Sequence, residues 1–167
     1  MSEVKAVDAA SALVIDLQAQ VMTVFRQGVP SLCYRISTAL NGPAEANGSF
    51  GTPRGKHRIR ALIGKDLPLG AVFVGRRPTG EIWTPELAIS NPNRDWILTR
   101  ILWLCGEEPG FNRGGTVDSM RRFIYIHGTP DTEPMGVPRS HGCIRMRNRD
   151  IDQLFGFVTA GLPVAID

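Results

Sequence analysis

A cysteine follows a histidine–glycine pair in the stretch Ser140-His141-Gly142-Cys143-Ile144-Arg145. Gly142 has no side chain, so a carbonyl can approach the Cys143 thiol unobstructed on that side. If the loop curls as a nest, the successive N–H groups of Gly142 and Cys143 can converge on an oxyanion. Sixteen positions upstream, the alternating run Phe123-Ile124-Tyr125-Ile126 ends in His127, just before the break at Gly128. A rigid strand end that aims a histidine into a loop region is the placement expected of a general base. Residues 129–139 hold three prolines and Gly136, and should form a stiff loop that returns Cys143 towards His127. The chemistry these residue types support is nucleophilic acyl transfer, with Cys143 as nucleophile and His127 as base.

A free thiol with pKa ~8.5 is only about 3% thiolate at pH 7. Pairing with an imidazolium could bring it to roughly 6 and raise that fraction about thirtyfold. Nucleophilicity falls with pKa at a Brønsted slope of ~0.4–0.5, which removes roughly ten- to twentyfold of that gain. Proton delivery to a departing amine is typically worth ~10²–10⁴. His127 is therefore expected to act as a proton shuttle more than as a thiol activator.

The elements that must hold these groups are short apolar runs rich in Val and Ile, separated by Gly, Pro and Asn, which is the pattern of a mainly β domain. Strands are expected over residues 12–17, 21–26, 32–38, 57–63, 71–74, 97–104, 123–127 and 163–166. Residues 41–51 are turn-forming throughout and are expected as a surface loop. After the thiol the period changes: Ile151, Leu154, Phe155 and Val158 recur at helical spacing. Asn148 is the expected N-cap and Gly161 the expected C′ residue of that helix. One or two short helices in a single domain follow, with residues 1–11 as a tail and 12–167 as the catalytic unit.

Composition narrows the class. At 167 residues, with 43% hydrophobic and 21% charged residues, the chain can bury one globular core. The net charge of +3 is spread out, without the dense basic stripe and interleaved aromatics of a nucleic-acid binder. No segment approaches the ~20 apolar residues of a membrane span. The start of the sequence has acidic residues where an export signal would be basic, so cytoplasmic residence is expected; the alternative is a periplasmic protein whose signal is missing. Three cysteines without C-x-x-C spacing support reduced thiols and neither a disulfide framework nor a zinc ribbon. No cofactor is implied.

The run from Ser140 to Arg145, with His127 before it, resembles the signature of the YkuD-type L,D-transpeptidases: a histidine, a short loop, then S/T-H-G-C-hydrophobic-N/R. Thr52-Pro53-Arg54-Gly55 matches a second family feature, a Thr-Pro-x-Gly segment leading into a strand. The resemblance covers residue 12 to the end. It implies a β-sandwich-like domain and a thiol acyl-enzyme mechanism without cofactor. Cys143 would attack the carbonyl of the third stem residue (meso-diaminopimelate or lysine) of a peptidoglycan tetrapeptide or muropeptide and expel the terminal D-Ala. His127 would be oriented by a backbone carbonyl near Gly128, and the N–H groups of His141, Gly142 and Cys143 would hold the oxyanion, in a loop that Ser140 opens. Carbapenems acylate the same cysteine in family members. The expected outcome is hydrolysis, a cytoplasmic L,D-carboxypeptidase of cell-wall recycling, with free D-amino acids as occasional acceptors. The alternatives are a periplasmic cross-linking transpeptidase and a non-catalytic peptide-binding module.

Plainer roles compete at several positions. Cys33 and Cys105 lie in strand-like runs and are expected in the core. His57 is expected as an ordinary half-exposed strand residue, and His141 as a structural or site-lining side chain in preference to a second base. Zinc on His127, His141 and Cys143 lacks a fourth ligand at usual spacing. Residues 51–56 fail as a phosphate loop because no Ser or Thr follows Lys56. Arg145 either brackets the loop through backbone carbonyls, the favoured reading, or binds a substrate carboxylate. Arg122, Arg121, Arg113 and Arg100 are weaker candidates for such a carboxylate, with solvated surface the favoured reading for most. Trp103 is expected in the core or in a groove wall.

Overall fold

The computed structural model describes residues 9–167. Ten strands form one curled, branched sheet, with two short helices, α1 (Pro85–Ser90) and α2 (Asn148–Phe155). The strands are β1 (Ala12–Asp16), β2 (Val21–Arg26), β3 (Val29–Arg35), β4 (Gly55–Ile63), β5 (Ala71–Val74), β6 (Arg77–Ile82), β7 (Ile97–Gly106), β8 (Tyr125–Thr129), β9 (Ile144–Arg147) and β10 (Pro163–Ile166). Their order is β3-β2-β1-β10-β4-β7-β5-β6, and β8 leaves this path by pairing with both β7 and β9. The mainly β, single-domain class expected from the sequence is the one observed. Of the tail expected over residues 1–11, residues 1–8 lie outside the described residues. Ala10 and Ser11 already bond to the domain, through Phe157 O (2.9 Å) and Phe25 O (2.7 Å).

β7 is the branch point, and its registers explain how. Residues 101–103 pair with β4 on one edge (Ile101↔Ile63, Trp103↔Ala61) and with β8 on the other (Ile101↔His127, Trp103↔Tyr125). Paired residues share a face of the sheet and neighbours along a strand alternate between faces. Leu102, Leu104, Ile124, Ile126, Ile144 and Met146 therefore point into the main core, where Ile151 and Leu154 of α2 pack on them. Ile101 and Tyr125 point the other way, into a smaller cluster with Phe73 that Trp103 and Cys143 border. His127 and Arg145 have the parity of that second face.

Several local expectations shift. Asn148 is not the cap of α2. Arg147 is, in extended conformation and without a side-chain cap bond. The Asn148 side chain is spent elsewhere, accepting from Thr99 Oγ1 at 2.5 Å. The C-cap is Gly156, and Gly161 (φ +89°) serves instead in the turn before β10. Val158 lies past the helix yet is buried in the core, so the helical spacing continued one step beyond the helix. Three elements carried no expectation: β6, β9 and α1.

Cys33 and Cys105 are not core residues. In β2–β3 the inward pairs are Met22↔Tyr34 and Val24↔Leu32, which turns the Thr23↔Cys33 pair outward, and Cys33 is exposed. Cys105 pairs with Arg58 on the outer face and is partly exposed. His57 is the reverse case. It is buried, with Nε2 2.7 Å from Ser119 Oγ and Nδ1 3.0 Å from Gly55 O, because β4 there runs between β10 and β7. Burial holds its pKa below the usual histidine value. Arg100, expected on the surface, is 8% exposed and pairs with Asp152 at 2.8 Å.

Candidate active site

The thiol and the imidazole meet through the parallel pairing of β8 and β9. Its register places Ile126 opposite Ile144 and His127 opposite Arg145, so Cys143 leads into β9 beside Tyr125. Cys143 and His127 are diagonal neighbours on one sheet face, with Cα atoms about 8 Å apart for that offset at normal strand spacing. At rest the thiol is held locally: Sγ donates to Phe123 O and accepts from Tyr125 N–H, both at 3.3 Å.

His127 is 1% exposed, and its Nδ1 lies 2.6 Å from the carbonyl oxygen of Gly128. A carbonyl can only accept, so Nδ1 carries the proton and Nε2 keeps a free lone pair. Gly128 must be glycine for packing. A Cβ there would sit 2.6 Å from Leu98 O and 2.5 Å from Asn148 Oδ1. Burial lowers the His127 pKa, partly opposed by the Gly128 carbonyl and the Asp95 carboxylate. Cys143 keeps partial solvent access, yet packing around it pushes its pKa up to about 12, against the Tyr125 N–H that lowers it. Both groups rest neutral. The imidazolium–thiolate pair considered from the sequence, with a thiol pKa near 6, is therefore replaced by a thiol–imidazole pair.

The loop carrying Cys143 is fixed from several sides. Ser140 is buried, and its Oγ donates to Cys143 O at 2.5 Å and accepts from Gly142 N–H at 3.2 Å. The Gly142 N–H, expected to face an oxyanion, is thus turned to Ser140. Gly142 has φ +132°, and a Cβ there would lie 3.2 Å from Gly51 O. The His141 side chain is 66% exposed, edge-on to Phe50, with Nδ1 3.6 Å from Asp95.

The two arginines divide the bracing differently from the expectation. Arg145 is 8% exposed and holds carboxylates, Asp95 at 3.0 Å and Glu133 at 3.9 Å, where backbone carbonyls were expected. Arg122 is the one that grips carbonyls: those of Ala44 (3.1 Å), Glu45 (3.2 Å) and Gly51 (2.7 Å). It thereby fastens the 41–51 loop beside the thiol. Asp95 was missed by sequence reasoning. It lies in an Asn-Pro-Asn-Arg-Asp turn that carries no motif, and only the fold brings it to Arg145 and His141.

Two cavities meet at Phe50 and His141. One, about 270 Å³, is lined by Arg122, Ile124 and Cys143 as well. The other, about 540 Å³, adds Leu40, Asn41, Asp95 and Ser140. On the far side of the thiol, Trp103 stands edge-on to Tyr125, and the Arg76 guanidinium lies 4.8 Å over its ring. Trp103 is thus a wall of this face. Among the described residues no group of three or more His, Cys, Asp or Glu could hold a metal ion, and no helix is long and apolar enough to cross a membrane.

A buried histidine and a loop cysteine thus stand beside the paired strands β8 and β9 of a curled, mainly β sheet. The chain belongs to the YkuD family: the model for its L,D-transpeptidase catalytic domain matches residues 10–166. Relatives include the probable L,D-transpeptidase YbiS of Escherichia coli, 31% identical over 127 residues, which cover 67% of this chain and 39% of the relative. The probable L,D-transpeptidase ErfK/SrfK of Salmonella typhimurium is 29% identical over 123 residues (68% and 39%). The chain thus spans about two fifths of the length of these curated relatives. Among solved structures, an L,D-transpeptidase from Mycobacterium smegmatis superposes with TM-score 0.58 at 22% identity, over 95% of this chain and 59% of that one. The L,D-transpeptidase LdtMt1, solved in complex with imipenem, gives 0.54 at 19% identity, over 95% and 59%.

Proposed function

We propose that this protein is a cysteine acyl-transfer enzyme that cleaves the bond between the third stem residue (meso-diaminopimelate or lysine) and the terminal D-Ala of peptidoglycan tetrapeptides. The observation that carries this reading is the placement of Cys143 and His127 on one face of β8–β9, with His127 Nδ1 committed to the Gly128 carbonyl. Nε2 is then the group free to accept a proton. As the Cys143 sulfur bonds to the substrate carbonyl carbon, its proton passes to Nε2. Collapse of the tetrahedral species breaks the C–N bond, and the imidazolium returns the proton to the departing D-Ala amine. A thioester remains. Water, deprotonated by the same imidazole, then releases the tripeptide and restores the thiol. General acid–base transfer by one residue in both halves is worth ~10²–10⁴.

Water as the acceptor makes this an L,D-carboxypeptidase, an outcome that the partial solvent access of Cys143 supports. Cytoplasmic action on soluble wall fragments is part of the same proposal, and the three unpaired thiols suit a reducing compartment. A second reading, transfer to an amine such as a free D-amino acid or an acceptor stem, is favoured by the second cavity with its single carboxylate, Asp95. Incubation with disaccharide-tetrapeptide and mass analysis separates the two. Tripeptide with free D-Ala supports hydrolysis, and cross-linked dimers or D-amino-acid exchange products support transfer. Unchanged substrate, with full binding retained, supports the peptide-binding alternative.

A further inference from the structure

We propose that Thr52 is a positioning residue that aims the oxyanion-binding peptide group of this active site. The inference rests on the acyl-transfer reading of Cys143. Thr52 is fully buried, and its Oγ1 lies 2.9 Å from the carbonyl oxygen of Gly142. The direction of that bond is settled by its partners. Oγ1 accepts the Ala39 N–H at 3.0 Å, and the Gly142 carbonyl has no proton to give, so the hydroxyl hydrogen points to Gly142 O.

That single bond orients a whole peptide plane. No peptide bond among the described residues is cis, so the Cys143 N–H is antiparallel to the Gly142 carbonyl. Drawing the carbonyl inward to buried Thr52 turns the Cys143 N–H outward, towards the side where the thiol meets the cavity with Arg122 and Ile124. An oxyanion formed on a carbonyl bonded to Sγ falls within reach of the N–H of the same residue. Meanwhile the Gly142 N–H is turned to Ser140, which leaves the aim of the Cys143 N–H more important.

The threonine is itself held. Thr52 N donates to Gly42 O (3.1 Å) and Ala44 N donates to Thr52 O (3.0 Å), inside the loop that Arg122 clamps. Pro53, next in the chain, is buried and carries no N–H. The Thr-Pro-x-Gly segment thus leads into β4 with its threonine hydroxyl delivered to the nucleophile loop, ninety residues away in sequence.

On a Cys33→Ala/Cys105→Ala background, which leaves Cys143 as the one thiol, the test compares the otherwise wild-type enzyme with Thr52→Val, which keeps the shape and removes the donor, and with Thr52→Ser, which keeps the donor. Acylation of Cys143 by a tetrapeptide stem and by meropenem is followed by intact mass, alongside iodoacetamide alkylation of Cys143, which forms no oxyanion. Removing an oxyanion-hole donor outright costs ~10²–10³, so mis-aiming one should slow acylation by about 10–100-fold. Thr52→Val is expected to show that loss in kcat, with KM little changed and alkylation within about twofold of wild type. Thr52→Ser is expected to recover most of the rate. If Thr52→Val fails to fold, Thr52→Ala, which removes the same donor with less bulk, should show the same loss of acylation with alkylation retained. Acylation at the wild-type rate in the variant that folds overturns the proposal. So does a parallel loss of acylation and alkylation, which marks a collapsed pocket, and so does a serine variant as slow as the valine. A wild type that neither reagent acylates overturns the acyl-transfer reading itself, and the proposal with it.

Discussion

If Cys143 rests as a neutral thiol, its alkylation should be slow at neutral pH and should climb steeply with pH. The perturbation is a pH series with iodoacetamide on a Cys33→Ala/Cys105→Ala background, needed because Cys33 is exposed and would react first. With the thiol pushed up to about 12, its thiolate fraction at pH 8 is ~10⁻⁴, against roughly one quarter for a thiol of pKa ~8.5. That is a ~2,500-fold deficit. A Brønsted slope of ~0.4–0.5 over ~3.5 units returns about 25–55-fold through greater nucleophilicity. Cys143 should therefore react about 45–100-fold more slowly than a small-peptide cysteine at pH 8. Intact mass against time gives the rates. They should increase about tenfold per pH unit from 7 to 10 without a plateau. A rate that is fast at pH 7 and flat above it would show an imidazolium–thiolate pair and refute the neutral resting state.

His127→Ala should lower kcat by ~10² or more while alkylation at pH 8 changes little, because the imidazole moves protons and does not ionise the resting thiol; equal loss of both would contradict this. Gly128→Ala should cost ~1–3 kcal/mol by pressing a Cβ against Leu98 O and Asn148, lowering Tm by roughly 2–12 °C on calorimetry. His57 and His127 both have folded pKa values below their unfolded ones, so the unfolded chain binds more protons as pH falls below ~6.5. Their contribution to stability is fully present above that pH and is lost as pH falls towards the folded values. The urea midpoint should drop between pH 7.5 and pH 5, and His57→Gln should flatten that slope.

Much of the site was legible because chemistry and period coincide there. Cys143 follows a glycine, Ile151 and Leu154 of α2 keep helical spacing into the core, and His127 lies in an alternating run, although β8 starts only at Tyr125 and continues through Gly128 to Thr129 where a strand end at His127 was expected. α1 was missed although its start carries a cap signal in Thr-Pro-Glu-Leu: Thr84 accepts the Leu87 N–H at 3.1 Å and Pro85 opens the helix. β6 had no comparable signal, since an exposed strand of Arg-Pro-Thr-Gly-Glu-Ile shows no apolar alternation. Cys33, Cys105 and His57 were misplaced for one shared reason. Composition suggests a strand, but only cross-strand register decides which face a residue takes. The same holds for Arg145, Arg122 and Asp95, whose partners lie 12 to 78 positions away or in unpatterned turns. Long-range pairing brings them together, and no local pattern records it.

The central claim is that Cys143 forms a thioester with the stem peptide. Rapid-quench intact mass spectrometry of wild type with a tetrapeptide stem tests it directly. The account predicts a transient adduct of the tripeptide acyl group on the peptide containing Cys143, matched by released D-Ala and absent from Cys143→Ala. Release of D-Ala by Cys143→Ala at the wild-type rate, or an adduct on any other residue, would contradict it.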